Sequence, residues 1–477
     1  MRKIKTLLIN PPLSTEALYG KFSRGGSDLP PLSLCYIASY LLKYGKQVDI
    51  LDTAKLRLSI TDINKKISEY EPDIIGFHTV TPYINLVKFL VSEIKSARPN
   101  ILVIAGGPHF MGEPVNDIEN SQLDIAVIGE GEQTCLEIVE GLEQSEINGF
   151  LLDLAPKIKG IVYKKNKNIY VNPPRELIND IDTIPLPARH LLPPLRTYKV
   201  SVVQYKRLPS TGVLTARGCP FKCIFCVCSV SRQKVRNHSV EYVMAEVDEL
   251  IYRYGIRDIT FIDDVFTLDK QRTYRICDEL AKRKDKLTWS SNVRIGLVDK
   301  EMLKYMKDSG CWMVLVGVES GNQEILNRIK KQIKLEQAEQ LSRWCKEAGL
   351  MFHPNYIIGH PGETVDTINQ TINFAKKLYS HFPIFTIMTP YPGTELWDTA
   401  EEYGTLNKED FSNFSLGSNK PCFVPYGLTD RLLVKKRSEA YRKCYLNFPM
   451  ALRHFRSIKS FKDVKRMFDA LNILSGL

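Results

Sequence analysis

The chain of 477 residues is long enough for about three domains of ordinary size. With 44% hydrophobic and 25% charged residues, its composition is that of a globular protein and excludes a disordered or fibrous chain. The formal net charge of +11 is concentrated at one end, since residues 431–477 hold 12 Lys and Arg against 3 Asp and Glu. This distribution argues against an extended nucleic-acid-binding surface.

Compartment can be inferred from the N-terminus and from cysteine use. The prolines at positions 11 and 12 interrupt the first apolar stretch too early for a signal peptide, and no run of about 18 apolar residues indicates a membrane span. Eleven cysteines are few for a disulfide scaffold, and three of them lie within positions 219–226. That clustering favours metal binding in a reducing compartment, so we expect a cytoplasmic protein.

Residues 1–145 alternate short apolar runs with amphipathic stretches. Short strands that are apolar on both faces and alternate with helices are typical of a doubly wound parallel sheet. The sequence therefore predicts a flavodoxin-like N-terminal domain with five strands. The predicted strands are Lys5–Asn10, Val48–Asp52, Asp73–Phe77, Ile101–Ala105 and Asp124–Ile128.

Two glycine motifs follow the last two of these strands, at Gly106-Gly-Pro-His109 and Gly129-Glu-Gly-Glu132. In an open α/β sheet the carboxyl ends of the strands are where ligands bind, and glycine allows backbone to approach a ligand closely. Tight turns between strand and helix would use the same residues. Taken alone, the motifs leave both interpretations open.

The rest of the chain divides into three further segments. Residues 146–210 show little periodicity and contain eight prolines, which indicates a connector. Residues 211–405 contain six strand-and-helix units, too few to close an eight-stranded barrel, so a partial (β/α)6 barrel is predicted. Residues 406–477 are predicted to be mostly helical and basic.

The segment Arg217-Gly-Cys-Pro-Phe-Lys-Cys-Ile-Phe-Cys226 follows the first predicted barrel strand. Its three thiols, Cys219, Cys223 and Cys226, can bind three irons of a [4Fe-4S] cluster and leave the fourth iron open to a small molecule. A structural zinc site is the alternative, because Cys228 or His238 could supply a fourth ligand. The three-residue spacing between the first two cysteines and the position at a barrel mouth favour the cluster.

This cysteine motif resembles the signature of the radical S-adenosylmethionine (SAM) enzymes, including the aromatic residue before the third cysteine. The resemblance implies that Phe225 packs near the adenine of SAM, and that later strand ends supply the remaining contacts. It implies Asp263 or Asp264 for the methionine amino group and Arg294 for its carboxylate. Glu319 and Ser320 would contact the methionine or ribose, and the loops at Gly359 and Tyr391 the adenine.

The chain through about residue 400 also resembles the radical SAM enzymes that carry an N-terminal cobalamin-binding domain. The resemblance rests on Asn10-Pro-Pro12, Pro30-Pro-Leu-Ser33, the two glycine motifs and the segment Ile181–Arg189. It implies bound cobalamin held at Thr79, Val80, Thr81, Gly106, Gly107, Gly129 and Glu130. The Asp-x-His-x-x-Gly motif is absent, so cobalt is expected to lack a histidine ligand, and His78 and His109 are interpreted as packing or turn residues.

The family implies a reaction in which a 5′-deoxyadenosyl radical abstracts hydrogen from an unactivated carbon and methylcobalamin then methylates that carbon. Three alternatives to radical methyl transfer have to be considered. A related cyclase would use both cofactors without methyl transfer, and a corrinoid carrier would not need the polar residues at strand ends. A tRNA methylthiotransferase would need three further cysteines before the barrel, where the sequence has only Cys35 and Cys135.

The C-terminal segment from Phe448 to Leu477 carries apolar residues at helical spacing between Arg and Lys. The pattern suits a helix packed on the barrel, and it also suits an amphipathic helix at a membrane surface. The expected partners are a small-molecule or isoprenoid-like lipid substrate and an external electron donor such as flavodoxin or ferredoxin. Peripheral membrane contact through this segment is the second possibility, and no nucleic-acid partner is expected.

Overall fold

The computed structural model describes residues 2–12, 26–231, 234–415 and 417–446. The described chain divides into two compact units. The N-terminal unit contains residues 2–12, 30–198 and 391–393, and the barrel unit contains residues 26–29, 199–390 and 394–446. The predicted amphipathic segment from Phe448 onward lies outside the described residues.

The N-terminal unit is built on a sheet whose first five strands are parallel and have the order β2-β1-β3-β4-β5. This order is that of the flavodoxin-like fold, and it confirms the predicted fold class. The strands are buried along almost their whole length, as parallel strands covered on both faces must be. They are β1 Lys5–Asn10, β2 Gln47–Asp52, β3 Ile74–His78, β4 Leu102–Gly106 and β5 Ile125–Val127.

Five helices of six or more residues connect or follow these strands. The helix Ile60–Tyr70 begins with a capping box, in which Ser59 Oγ accepts from the Asp62 backbone N–H at 3.2 Å and the Asp62 carboxylate accepts from the Ser59 N–H at 3.0 Å. The helices are α1 Leu32–Lys43, α2 Ile60–Tyr70, α3 Ile84–Ala97, α4 Pro114–Glu119 and α5 Gly131–Gln144.

An antiparallel hairpin, β6 Ile161–Lys165 and β7 Asn168–Val171, extends the same sheet beyond β5. The sequence analysis placed these residues in the connector and did not predict the hairpin. Asn166 and Lys167 form its turn with φ of 50° and 67°, the geometry of a type I′ turn. Because Lys stands where such a turn usually has Gly, the usual sequence signal for a hairpin is missing.

The barrel unit contains six parallel strands in the order β15-β14-β13-β12-β11-β8, which confirms the predicted partial (β/α)6 barrel. A short antiparallel pair, β9 and β10, follows the first strand. The strands are β8 Ser210–Val213, β9 Ala216–Arg217, β10 Arg236–Asn237, β11 Asp258–Phe261, β12 Thr288–Val293, β13 Cys311–Glu319, β14 Met351–Ile358 and β15 Ile384–Ile387.

The barrel helices begin at side chains that cap their free backbone N–H groups. For six of the seven helices between residues 240 and 403, an oxygen of the N-cap residue accepts from the backbone N–H three residues on. These caps are Ser239, Asp269, Asp299, Asn322, Thr364 and Thr394. The helices are α6 Val240–Tyr252, α7 Lys270–Ala281, α8 Lys300–Asp308, α9 Gln323–Arg328, α10 Leu335–Ala348, α11 Val365–Lys377 and α12 Glu395–Tyr403.

After the barrel, β16 Gly404–Leu406 pairs antiparallel with β17 Phe423–Pro425, and helix α13 Asp430–Tyr445 ends the described chain. The Tyr441 hydroxyl lies 3.2 Å from both the backbone N and the backbone O of Phe385 in β15, so α13 covers the last strand of the barrel. Among the described helices, none is long and apolar enough to cross a membrane.

The amino ends of the barrel strands are tied together by one buried carboxylate, Asp258 at the start of β11. It accepts from Ser210 Oγ at 3.1 Å, Thr288 Oγ1 at 2.5 Å, Trp312 Nε1 at 3.1 Å and the Lys206 N–H at 3.2 Å. Burial raises the pKa of Asp258 to about 6, even though these donors oppose the shift. The cluster closes the face of the barrel opposite to the carboxyl ends of its strands.

We expect Asp258→Ala to destabilise the barrel by about 3 kcal/mol, because it would leave several buried donors without an acceptor. The matched control is Asp308→Ala, which removes an exposed carboxylate paired with Lys304 and should cost at most about 0.5 kcal/mol. Urea unfolding followed by circular dichroism measures both variants. Equal losses would show that Asp258 does not hold the strands together.

Candidate active site

The cysteine loop begins directly after β9, at the carboxyl edge of the barrel sheet. Cys223 is buried, and Cys219 and Cys226 are partly exposed. A turn in which the Cys226 N–H donates to the Cys223 carbonyl at 3.1 Å brings the second and third cysteines together. The loop is anchored through Ile224, whose N–H donates to the Ile329 carbonyl and whose carbonyl accepts from the Leu396 N–H.

The arrangement suits a cluster better than a single zinc ion. In the described parts of the chain, no three His, Cys, Asp or Glu side chains converge as ligands of one ion would. The two residues considered as a fourth zinc ligand have other contacts. The Cys228 thiol donates to Asp264 at 3.2 Å, and the His238 ring is buried and stacked on Tyr242. Three thiolates that each bind a different iron do not need to converge on one point.

The electrostatic environment of the loop favours a thiolate at its third cysteine. The neighbouring Cys228 side chain lowers the pKa of Cys226 to about 7, although burial opposes this shift. Burial raises the pKa of Cys219. Because the thiolate is the form that binds metal, iron binding would have to compensate for the burial of Cys219.

Arg294 lies beside the loop and is almost fully buried. Its guanidinium stacks on the Phe221 ring at 3.6 Å, and Nη1 lies 3.9 Å from Cys223 Sγ. The other terminal nitrogen donates to the backbone carbonyl of Lys331. These contacts fix a cation next to the thiols, and its pairing with the methionine carboxylate of SAM stays a prediction.

The structure distinguishes the two carboxylates after β11. Asp263 is fully buried and accepts from the backbone N–H groups of Thr215 and Ala216 at 2.5 and 3.1 Å, and from the Thr215 hydroxyl. Burial raises its pKa to about 6. Asp264 is exposed and faces Cys228. Asp263 therefore shapes the strand end that precedes the cysteine loop, and Asp264 is the carboxylate available to a ligand.

Glu319 ends β13 in the left-handed backbone region, with φ of 68°, a conformation that costs about 1 kcal/mol or more for a residue other than glycine. Its carboxylate pairs with Lys331 Nζ at 2.6 Å, and both side chains are about nine-tenths buried. A Cβ on Gly317 would lie 2.2 Å from Glu319 Oε1 and 2.7 Å from Lys331 Nζ. Glycine at position 317 therefore leaves room for this ion pair.

Ser320 and Gly359 have structural contacts. Ser320 Oγ lies 3.1 Å from Thr371 Oγ1 in α11, and it accepts from the Asn322 N–H at the start of α9. Gly359 has φ of 88°, and its N–H donates to the Glu363 carboxylate at 2.5 Å. Both residues shape the strand-end loops. Their contacts with SAM stay predictions.

Of the residues predicted to lie near adenine, Phe225 contacts the loop after β14. The Phe225 ring lies edge-on to the His360 ring at 6.5 Å, and His360 Nε2 is 3.3 Å from the Glu319 carbonyl. Tyr391 follows β15 and is half-buried, and its contact with adenine stays a prediction. His360 was not singled out from the sequence as a site residue, although the segment that contains it was.

The residues predicted to hold cobalamin lie at the carboxyl edge of the N-terminal sheet. The Thr79 hydroxyl is buried without a hydrogen-bond partner among the described residues. Gly107 has φ of 120°, and a Cβ there would lie 2.5 Å from the Thr79 carbonyl oxygen. Gly129 has φ of 83° with open space beside it. The orphaned hydroxyl of Thr79 and the open space at Gly129 fit a bound cofactor at this edge.

Other predicted residues of this edge have partners within the unit. The Glu130 carboxylate accepts from the Ile178 N–H at 3.1 Å. The fully buried ring of His109 makes polar contacts through both of its nitrogens, to Thr81 and Asp117. Burial lowers the pKa of His78, at the end of β3, to about 4. Val80, between Thr79 and Thr81, is partly exposed.

Comparison with known proteins gives the class of the chain. The family model described as "Radical SAM superfamily" matches residues 213–375, and that described as "B12 binding domain" matches residues 23–139. An uncharacterized methyltransferase of Pyrococcus horikoshii is 37% identical over 94% of this chain and 93% of its own length. The chain therefore belongs to the radical SAM superfamily, among the members that carry a B12-binding domain in front of the barrel.

Two further similarities concern the whole length of the chain. The anaerobic magnesium-protoporphyrin IX monomethyl ester cyclase of Rubrivivax gelatinosus is 26% identical over 91% of this chain and 78% of its own. The structure of the radical SAM methyltransferase TsrM from Kitasatospora setae, with cobalamin and a [4Fe-4S] cluster bound, has a TM-score of 0.72. It is 19% identical and covers 95% of this chain and 90% of its own.

The cofactors of this class are a [4Fe-4S] cluster, SAM and cobalamin. The described residues fit the first two at the cysteine loop, with Arg294 and Asp264 beside it, and the third at the edge formed by Thr79, Gly107 and Gly129. Both ring nitrogens of His109 lie close to other side chains of the unit, and the absence of a histidine ligand to cobalt stays a prediction.

Single cysteine substitutions test which thiols ligate the cluster. We expect Cys223→Ala to abolish cluster binding, because a cubane held by two thiolates is lost, whereas Cys228→Ala should retain about four irons per chain. Iron analysis after anaerobic reconstitution measures both variants. If Cys228→Ala lost its iron and Cys223→Ala kept it, the ligand assignment would be wrong.

Single substitutions also test the different roles of Asp264 in SAM binding and of Asp263 in stability. Asp264→Asn should weaken SAM binding about tenfold, because a charged hydrogen bond to the ligand is lost, and should leave thermal stability unchanged. Asp263→Ala should lower the melting temperature, because it leaves two buried backbone N–H groups without an acceptor. Equilibrium dialysis with SAM and thermal unfolding give the two readouts. The opposite pattern would exchange the two roles.

Proposed function

We propose that the chain methylates an unactivated carbon of a small, largely apolar molecule. The observation that carries this proposal is the three-thiol loop at the carboxyl edge of a radical SAM barrel, in a chain that also carries a B12-binding domain. The full-length similarity to a methyltransferase supports methyl transfer as the outcome.

When bound, the cluster with SAM supplies a 5′-deoxyadenosyl radical, and methylcobalamin supplies the methyl group. The chain's own residues bind and orient these groups. Cys219, Cys223 and Cys226 would each ligate one iron, and the aromatic ring of Phe225 offers an apolar surface to adenine.

The methionine end of SAM is a zwitterion, and the barrel offers one partner for each of its charges. Arg294 is held by stacking on Phe221, so its cation can accept the carboxylate without reorientation. Asp264, exposed beside the loop, can accept the amino group. The fixed positions of these charges favour a single orientation of SAM relative to the open iron.

Glu319 can serve as the next polar contact along the site. Lys331 neutralises its charge and holds one of its carboxylate oxygens at 2.6 Å. The other oxygen can accept a hydroxyl or an ammonium proton from SAM. Burial of this pair excludes water from it, which strengthens a hydrogen bond from SAM to the carboxylate.

The proposal extends to two partners. Reduction of a cluster needs a one-electron donor, for which a flavodoxin or ferredoxin is suitable. The basic, apolar-striped segment from Phe448 to Leu477 suits either packing on the barrel or contact with an anionic membrane, and the second arrangement would favour a lipid or isoprenoid-like substrate.

A second candidate outcome is oxidation or ring closure without methyl transfer. The similarity to an anaerobic cyclase, which extends over 91% of this chain, favours this second outcome. Both outcomes would use the same ligands in this chain, because both begin with hydrogen abstraction.

Product analysis separates the two outcomes. The reconstituted protein is incubated anaerobically with a reductant, SAM labelled with deuterium in its methyl group, hydroxocobalamin and an extract of small molecules and lipids, so that every transferred methyl group comes from SAM. Methyl transfer predicts a labelled product and about one 5′-deoxyadenosine per S-adenosylhomocysteine. Formation of 5′-deoxyadenosine without S-adenosylhomocysteine or a labelled product would contradict methylation and support the cyclase outcome.

A further inference from the structure

A continuous chain of buried polar groups lies within the N-terminal unit, beside the edge that carries the predicted cobalamin residues. Lys88 Nζ lies 2.8 Å from Asp117 Oδ1, and Asp117 Oδ2 lies 2.7 Å from His109 Nε2. His109 Nδ1 is in turn 3.2 Å from Thr81 Oγ1. The members come from helix α3, helix α4, the turn after β4 and the turn after β3, so the chain joins four separate segments.

The Asp117 carboxylate lies at the centre of this chain. Burial alone would raise the pKa of Asp117, but His109 and Lys88 hold it below its ordinary value, so the carboxylate is an acceptor. His109 Nε2 faces this acceptor and His109 Nδ1 faces the Thr81 hydroxyl, so the imidazole ring bridges the carboxylate and the turn after β3.

Burial of these polar groups costs desolvation free energy, because Asp117 and the His109 ring are almost fully buried. The effect of this chain of polar groups is to fix the turn Thr79–Thr81 against the turn after β4. Backbone bonds join the same two turns, from the Thr79 N–H to the Gly106 carbonyl at 2.8 Å and from the His109 N–H to the Thr79 carbonyl at 3.4 Å. The turn that is fixed in this way carries the buried Thr79 hydroxyl that lacks a partner among the described residues.

We propose that Asp117, His109 and Thr81 form a relay that positions the Thr79–Thr81 turn for cobalamin. In this relay His109 is a positioning residue that acts through Thr81 and is not a ligand of cobalt. The turn fixed in this way would offer the hydroxyl oxygens of Thr81 and Thr79 to the amide N–H groups of the corrin side chains. The inference rests on the proposed binding of cobalamin at this edge.

The test measures cobalamin affinity in the full-length protein. Cobalamin-free protein is titrated with hydroxocobalamin and followed by absorbance. Asp117→Asn, His109→Gln and Thr81→Val should each weaken binding about tenfold or more, as loss of an outer-shell hydrogen bond does at cofactor sites. Thr81→Ser, which keeps the hydroxyl, should restore affinity to near that of the unsubstituted protein.

The chain offers a matched control in Asp124→Asn. Asp124 is also paired with a lysine of helix α3, Lys95 at 2.5 Å, and it accepts from the Val103 N–H at 2.7 Å. It precedes β5, at the amino edge of the sheet, away from the predicted cofactor. A general loss of stability would therefore appear in this variant as well, whereas a loss of cobalamin affinity should not.

Electron paramagnetic resonance of bound cob(II)alamin gives a second readout. The spectrum should be the same in the unsubstituted protein and in His109→Gln, because His109 does not reach cobalt. Loss of a nitrogen splitting in that variant would show that His109 is a ligand and would overturn the relay.

Two further outcomes would also overturn it. One is equal affinity in all variants, and the other is an equal loss of affinity in Asp117→Asn and Asp124→Asn. If the unsubstituted protein failed to bind hydroxocobalamin at all, the proposed function would fall first, and this inference with it.

Discussion

In both units of the chain, the strands that precede the candidate functional residues run parallel, so their carboxyl ends meet at one edge of a sheet. Within one sheet, this constraint gathers residues that are up to about 140 positions apart in the sequence, such as Cys219 and Gly359. In the barrel unit it places the cysteine loop, Asp264, Arg294 and Glu319 at successive strand ends. The chemistry of the site depends on the loops that these strand ends support, and the opposite edge is closed by Asp258 and its donors.

Buried carboxylates hold several of these loops in place. Asp263 accepts two backbone N–H groups before the cysteine loop, and Glu363 accepts those of Gly359 and His360. Burial raises the pKa of Glu363 to about 7. Asp117 acts in the N-terminal unit through His109. Each of these groups stabilises the backbone beside a candidate cofactor-binding residue, which accounts for acidic side chains in positions where burial disfavours their charge.

Much of the fold was predictable, because parallel strands that are buried on both faces leave continuous apolar runs in the sequence. The cysteine loop was predictable for a different reason, since three thiols at that spacing have few other uses. Both strand sets were identified in this way, and Cys219, Cys223 and Cys226 stay the predicted ligands of the cluster. The hairpin from Ile161 to Val171 was not, because its turn has Lys167 where glycine is expected and its strands are short and basic.

The roles of individual side chains at the site were predictable only in part. The sequence could not separate Asp263 from Asp264, because which of two adjacent carboxylates is buried depends on the tertiary contacts of Thr215. The sequence does not mark Lys331 as a site residue, because it is one of two adjacent lysines between two helices. Its role follows from its ion pair with Glu319. His109 was interpreted as a turn residue, and its contacts with Asp117 and Thr81 became visible only when the sheet brought their segments together.

The central claim is that one chain holds both an open-iron cluster and a corrinoid. Metal and corrin analysis of anaerobically purified, reconstituted protein tests it most directly. The account predicts about four irons and about one cobalt per chain, with the iron lost in Cys223→Ala and the cobalt retained. Iron without cobalt, after reconstitution with excess cobalamin, would contradict the account and leave the N-terminal unit without its proposed cofactor.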